Sequence, residues 1–109
     1  MSDYTDYMED CFFSRVSSIC QDLYEYKKWI DDYVSKREKY PEWVTRDGKH
    51  ILVKDVDDNH LENLLNFLPE STVWHRVFEC EKQYRYLSKK VKELEREDAY
   101  NQQVINLIY

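Results

Sequence analysis

The chain has 109 residues, with 22 acidic against 16 basic side chains, a net charge of −6, one glycine and three cysteines. That length suits a single domain, 1–109, with one modest core, since folding at this size buries roughly 60–70% of the surface the unfolded chain exposes. The negative balance disfavours non-specific binding to nucleic acid or an anionic membrane, both of which require a cationic field, and the odd cysteine count argues against a disulfide framework. With no apolar run near the ~20 residues that span a bilayer and no basic, apolar leader, the expectation is a soluble cytoplasmic protein without a membrane partner.

The first segment, Tyr4 to about Lys39, holds neither Gly nor Pro. Its apolar residues Met8, Phe12, Val16, Ile19, Cys20, Leu23, Tyr26, Ile30 and Tyr33 recur close to the helical period, which predicts one long amphipathic helix. A thinner strip of Phe13, Cys20 and Tyr24 predicts that this helix touches a second neighbour. Cys11 and Cys20 fall on opposite sides of it and cannot share a metal there. Pro41 ends it, because the residue before a proline is pushed out of the helical region.

The stretch Trp43 to Leu68 reads WVTRDGKHILVKDVDDNHLENLLNFL. Asp47-Gly48 between runs of β-forming residues predicts a hairpin with a two-residue type I′ turn. That register sets Trp43 opposite Leu52 and Val44 opposite Ile51. Trp43, Thr45, His50 and Leu52 then share one face and Val44, Ile51 and Val53 the other, with apolar residues on both. A short helix follows from about Asp58 to Leu68, with Leu61, Leu64, Leu65 and Leu68 on one side. Asp57 is placed as its N-cap, Asp58 adds charge at the positive dipole end, and Pro69 stops it. The next helix starts near Ser71 or Thr72 and carries Val73, Val77, Cys80, Tyr84, Leu87, Val91 and Leu94 in four-three alternation, a coiled-coil-like seam. The seam fits either the first helix or a second copy of the chain. Asp98 falls on a seam position. The remainder, AYNQQVINLIY, repeats apolar residues at Tyr100, Val104, Leu107 and Ile108, as a continuation or a short fourth helix. The expected architecture is α+β and predominantly helical: a long N-terminal helix, one β-hairpin, a short helix and a long heptad-patterned helix.

Four aspartates, an asparagine and two histidines fall between Asp47 and His60. Asp55, Asp57 and Asn59 have the alternate spacing of a calcium loop, but His60 stands where that loop needs glycine and Asn66 where it needs a bidentate Glu. His50, His60 and His75 lack the paired spacing of zinc ligands. His60 beside its aspartates has no nucleophile to serve as base. A lone Gly48 permits neither a phosphate loop nor a Gly-x-Ser-x-Gly elbow. The sequence therefore predicts no catalytic residue, no metal and no cofactor. In KQYRYLSKKVK, Lys82 to Lys92, basic residues and tyrosines interleave, a pattern that can stack bases and hold phosphate. Tyr84 and Leu87 belong to the seam, however, and acids follow, so a solvated helix face is the simpler reading. Ten tyrosines are more than so small a core is expected to hold; with the acid they read as a protein-binding surface, or equally as side chains that edge the core.

The run Trp43-x-Thr45-x-Asp47-Gly48-x-x-Ile51-x-Val53-x-Asp55-Val56-x-x-x-His60-Leu61-x-Asn63 resembles a short module found in many uncharacterised phage and prophage proteins. It spans about a quarter of the chain. The module usually has Met where Val56 stands, and its helix often runs on where Pro69 stops this one. The resemblance implies a mobile-element origin and carries over no catalytic residue. It gives the module's Asp, His and Asn a structural role, tying the hairpin exit to the helix start.

The functional expectation is a small phage-type, non-enzymatic protein that binds a host macromolecule in the host cytoplasm, foremost as a stoichiometric inhibitor of a defence enzyme such as a restriction or CRISPR nuclease. Asp31, Asp32, Asp57 and Asp58 are the contact residues if carboxylates imitate phosphates. Tyr33, Tyr100, Ile105 and Ile108 are those for docking through tyrosine and apolar side chains. Alternatives are a nucleic-acid accessory protein using the basic face of helix three, a small-ligand binder, or a component that self-assembles through the seam or the C-terminus.

Overall fold

A computed structural model describes residues 3–108, with side chains from residue 10 onward. Its elements are α1 (Asp3–Arg37), β1 (Trp43–Val44), β2 (His50–Ile51), a 3-10 turn (Val53–Asp55), α2 (Asp58–Phe67) and α3 (Val73–Ile108). The fold is mostly helical, with one antiparallel hairpin, and α3 packs on α1. Met8, Tyr4, Tyr7 and Tyr109, which the sequence reading uses, lie outside the described side chains. The contacts form two units, one made by the chain up to Trp29 with the chain from Lys89, the other by Ile30–Ser88.

In the first unit the seam is intramolecular. Ile19 of α1 and Val91 and Leu94 of α3 are buried, and Arg15 Nη2 and Nε reach Glu97 at 2.8 and 3.0 Å from across the pair. On the thin strip of α1, Phe13, Cys20 and Tyr24 are exposed. Of the two readings of the C-terminal run, the continuation holds: α3 runs on to Ile108, its seam position at Asn101 being buried and that at Asp98 half-buried.

The second unit holds the larger core. Val53, Val56, Leu61, Leu64, Val77 and Phe78 cluster, with Trp43, Ile51, Leu65, Leu68 and Trp74 packed against them. Trp43 meets Trp74 and Phe78 edge-on at 5.2 and 5.4 Å, and Trp74 stacks on Phe78 at 5.6 Å. Ring contacts of this geometry add to the stabilisation from burying apolar area. Val73, assigned to the seam from its spacing, is 74% exposed at the start of α3. The seam begins at Val77 instead.

The hairpin register differs by one residue from the sequence expectation. Trp43 pairs with Ile51 and Val44 with His50. The loop has three residues: the Gly48 N–H donates to the Thr45 carbonyl and the Thr45 N–H to the Lys49 carbonyl. Only Gly48 takes a positive φ, +85°. A type I′ turn would force Asp47 into the left-handed region as well, a cost an L-residue avoids when a type I turn followed by one left-handed glycine is available. Thr45 favours this form, since its hydroxyl donates to Asp47 and accepts from the Lys49 N–H at 3.0 Å. The shift exchanges the faces, because side chains alternate along a strand. Trp43 and Ile51 turn to the core, Val44 and His50 are exposed, and a single face is covered.

Helix ends follow local chemistry. The Asp57 carboxylate accepts from the His60 N–H at 2.8 Å and caps α2 as expected. Leu68 closes that helix by donating to the Leu64 carbonyl, immediately before Pro69. Thr72 starts α3, its hydroxyl accepting from the His75 N–H at 3.2 Å.

Candidate functional site

Among the described residues the most deeply buried polar side chain is Glu81, 1% exposed on α3. Tyr33 of α1 donates to its Oε1 at 2.8 Å, Arg37 Nη1 to the same oxygen at 3.2 Å, and Arg85 Nε to its Oε2 at 2.9 Å. Arg85 extends the network: Nη1 donates to Asp58 Oδ1 at 2.8 Å, and Nη2 to the Val56 backbone carbonyl. Arg37 lies over the Tyr84 ring at 4.5 Å, a cation–π contact. Burial and the bond to Glu81 hold the Tyr33 phenol far above its ordinary range.

A carboxylate so enclosed costs several kcal/mol to desolvate, and good geometry with saturated lone pairs is what offsets that cost. Both Glu81 oxygens already accept from side chains and water hardly reaches them. The group is thus positioned to hold α1, α2 and the hairpin exit on α3 rather than to act on a substrate.

The structure joins Tyr33 and Asp58, two of the residues singled out in the sequence, through Glu81 and Arg85. Tyr33 is not a surface residue, however: at 3% exposure its ring lies between Tyr40 and Tyr84. It serves the core, and its assignment to a contact surface is corrected. Asp32 pairs with Lys36 at 3.0 Å and Asp57 caps α2. Asp31 is exposed with no ion pair among the described residues. The hairpin exit is tied to the helix start by Asp57 and by Arg85 on the Val56 carbonyl, not by the side chains of Asp55, His60 and Asn63 to which the module's pattern assigned that role.

Tyr100 and Ile108 are 65% and 64% exposed, Leu107 is 87% exposed, and Val104 and Ile105 are half-buried. Residues 99–109 contain no charged side chain. In the basic run, Lys82 pairs with Glu62, Lys90 with Glu93, and Arg85 is drawn inward, which leaves Lys89 and Lys92 as its cations without an ion pair among the described residues. His75 is buried, its Nδ1 3.3 Å from Glu79 Oε1 but misaligned for a hydrogen bond, and His50 lies near Glu42. Among the described residues no group of three or more His, Cys, Asp or Glu is placed to hold a metal ion, and no helix is long and apolar enough to cross a membrane.

One concavity stands at the end of α1, a pocket of about 240 Å³ lined by Arg37, Glu38, Tyr40, Leu52, Val53 and Lys54. Sequence reasoning passed over it, and over the Glu81 network, because both use charged residues that pattern analysis assigns to solvent. The signal was present as a second stripe on α3, Trp74, Phe78, Glu81 and Arg85, at four-three-four spacing. Comparison of the chain with protein-family models, with curated proteins and with solved structures returned no match.

Proposed function

We propose that this protein works without catalysis, by stoichiometric binding of another protein, and that its target is a host enzyme acting on nucleic acid, by analogy with other small acidic phage proteins; the phage-like module itself implies only a mobile-element origin. The observation that supports the reading is the surface at the end of α3. Tyr100, Leu107 and Ile108 expose apolar area within a run lacking any charge. Contiguous apolar surface of this kind marks interaction sites, whereas single exposed apolar residues do not. Tyrosine and large aliphatic side chains supply binding energy there by leaving water. The acidic residues are the weaker choice of contact, since Asp32, Asp57 and Asp58 already serve the protein's own fold.

The test is affinity capture from a bacterial host lysate followed by measurement on the purified pair. Leu107→Glu is expected to weaken that complex at least about tenfold, in line with loss of a central apolar contact, while the helical circular dichroism stays unchanged. Unaltered affinity in Leu107→Glu, or a complex that salt alone dissolves, overturns apolar docking. A purified chain that binds DNA or RNA and no protein overturns the reading as a whole.

A further inference from the structure

We propose that the pocket at the end of α1 is a binding site for a small organic anion, a flat apolar body carrying one carboxylate or phosphate, with Lys54 as its counter-charge. Its walls divide by chemistry. Tyr40, Leu52 and Val53 supply an apolar side; Arg37, Lys54 and Glu38 supply the polar one. Arg37 is fixed before any ligand arrives, held by Glu81 and by the Tyr84 ring, so its remaining N–H groups need no ordering on binding. Glu81 neutralises much of the Arg37 charge. Lys54 and Glu38 are both exposed and neither has an ion pair among the described residues, so the Lys54 ammonium is free to meet a ligand's anion while the Glu38 carboxylate stays in solvent.

The surroundings favour an anion. Residues 35–54 hold six basic against three acidic side chains in a chain whose net charge is −6. The pocket opens on a basic segment of an acidic protein, which concentrates anions locally. Its volume of about 240 Å³ falls below the range of pockets for drug-sized ligands and suits one or two rings. An apolar wall beside a small number of placed charges is the usual composition of such sites.

The experiment is an amide-resolved NMR titration of the full chain with four probes: benzoate, phenyl phosphate, neutral benzyl alcohol and inorganic phosphate. Benzoate and phenyl phosphate should give saturable shifts confined to Arg37–Tyr40 and Leu52–Lys54, with a dissociation constant on the order of 1 mM for ligands of about ten non-hydrogen atoms. Lys54→Gln, at an exposed position that leaves the core untouched, should weaken both about fivefold, the value of one partly solvated charge contact. Leu52→Ser should weaken both without altering the response to inorganic phosphate. Absence of saturable shifts at 20 mM of either aryl probe, a concentration roughly 20 times the expected constant, overturns the site. So do shifts centred elsewhere, benzyl alcohol binding as tightly as benzoate, inorganic phosphate binding as tightly as phenyl phosphate, or unchanged affinity in Lys54→Gln.

Discussion

Tyr33 and Glu81, 48 positions apart in the chain, are joined by a 2.8 Å hydrogen bond inside the protein, with Arg37 on the same carboxylate oxygen. Replacing Glu81 by Leu leaves two guanidinium groups without their buried partner. The expected cost is about 3 kcal/mol, at the lower end for breaking a buried pair because Arg37 and Arg85 keep some contact with water. Urea denaturation measures it. A loss below about 1 kcal/mol would show that the network contributes little to the native state.

The same bond predicts an alkaline limit. The folded-state pKa of Tyr33 is raised, first by burial and then by Glu81, and Tyr40 is raised by burial too. For a raised group the stabilisation is complete below the unfolded-state value near 10 and disappears as pH climbs beyond it. Unfolding free energy should therefore decline above about pH 10, and decline less steeply in Tyr33→Phe. Parallel pH profiles for the two proteins would refute this.

At Gly48 an added Cβ meets no atom within 4 Å, so Gly48→Ala tests the backbone alone. With φ at +85°, the expected destabilisation is about 1 kcal/mol, and Asn, which tolerates the left-handed region, should recover part of it. Identical denaturation midpoints for Gly and Ala would argue against the three-residue loop.

Leu87 is 5% exposed in the seam. Leu87→Asp should unfold the chain or cost at least about 3 kcal/mol, since an unpaired charge enters an apolar stripe. Preserved stability with unchanged solution mass would mean that the stripe is not buried in the free protein.

Charge reversal, as a probe of partner binding, has to respect the fold. Asp57→Lys removes a cap worth about 1 kcal/mol, and Asp58→Lys sets a cation against Arg85. Asp31→Lys disturbs neither. Its expected effect on a purified complex is a change in association rate of less than about threefold if docking is apolar, because isolated charges at a rim act on encounter. A tenfold slowing, reversed by salt, would move the interface to the acidic side.

Features set within one turn of chain were legible in the sequence: the Asp57 cap, the stop at Pro69, the helical periods of α1 and α3. The hairpin was legible as a hairpin but not in register, because the Thr45 hydroxyl, and not the Asp-Gly pair alone, selects the loop. Phe78, Glu81 and Arg85 were missed for a different reason. Reading α3 as one seam allows it one buried face, yet within residues 30–88 it meets α1 on one side and the hairpin with α2 on another. Arg37 and Lys54 come together only through that packing, and no local pattern announces it.

Burial is shared unequally along the two long helices. Of the fourteen buried residues among those whose side chains are described, ten lie between Ile30 and Ser88, and Ile19, Val91, Leu94 and Asn101 lie outside it. Amide exchange should follow that division, with the turns of α1 before Trp29 and of α3 after Lys89 opening at lower free energy than the hairpin core. A partner that grips the end of α3 would then engage the part of the molecule that is least costly to reshape. Protection of those turns on complex formation, with the exchange rates around Phe78 unchanged, is the signature of that adaptability.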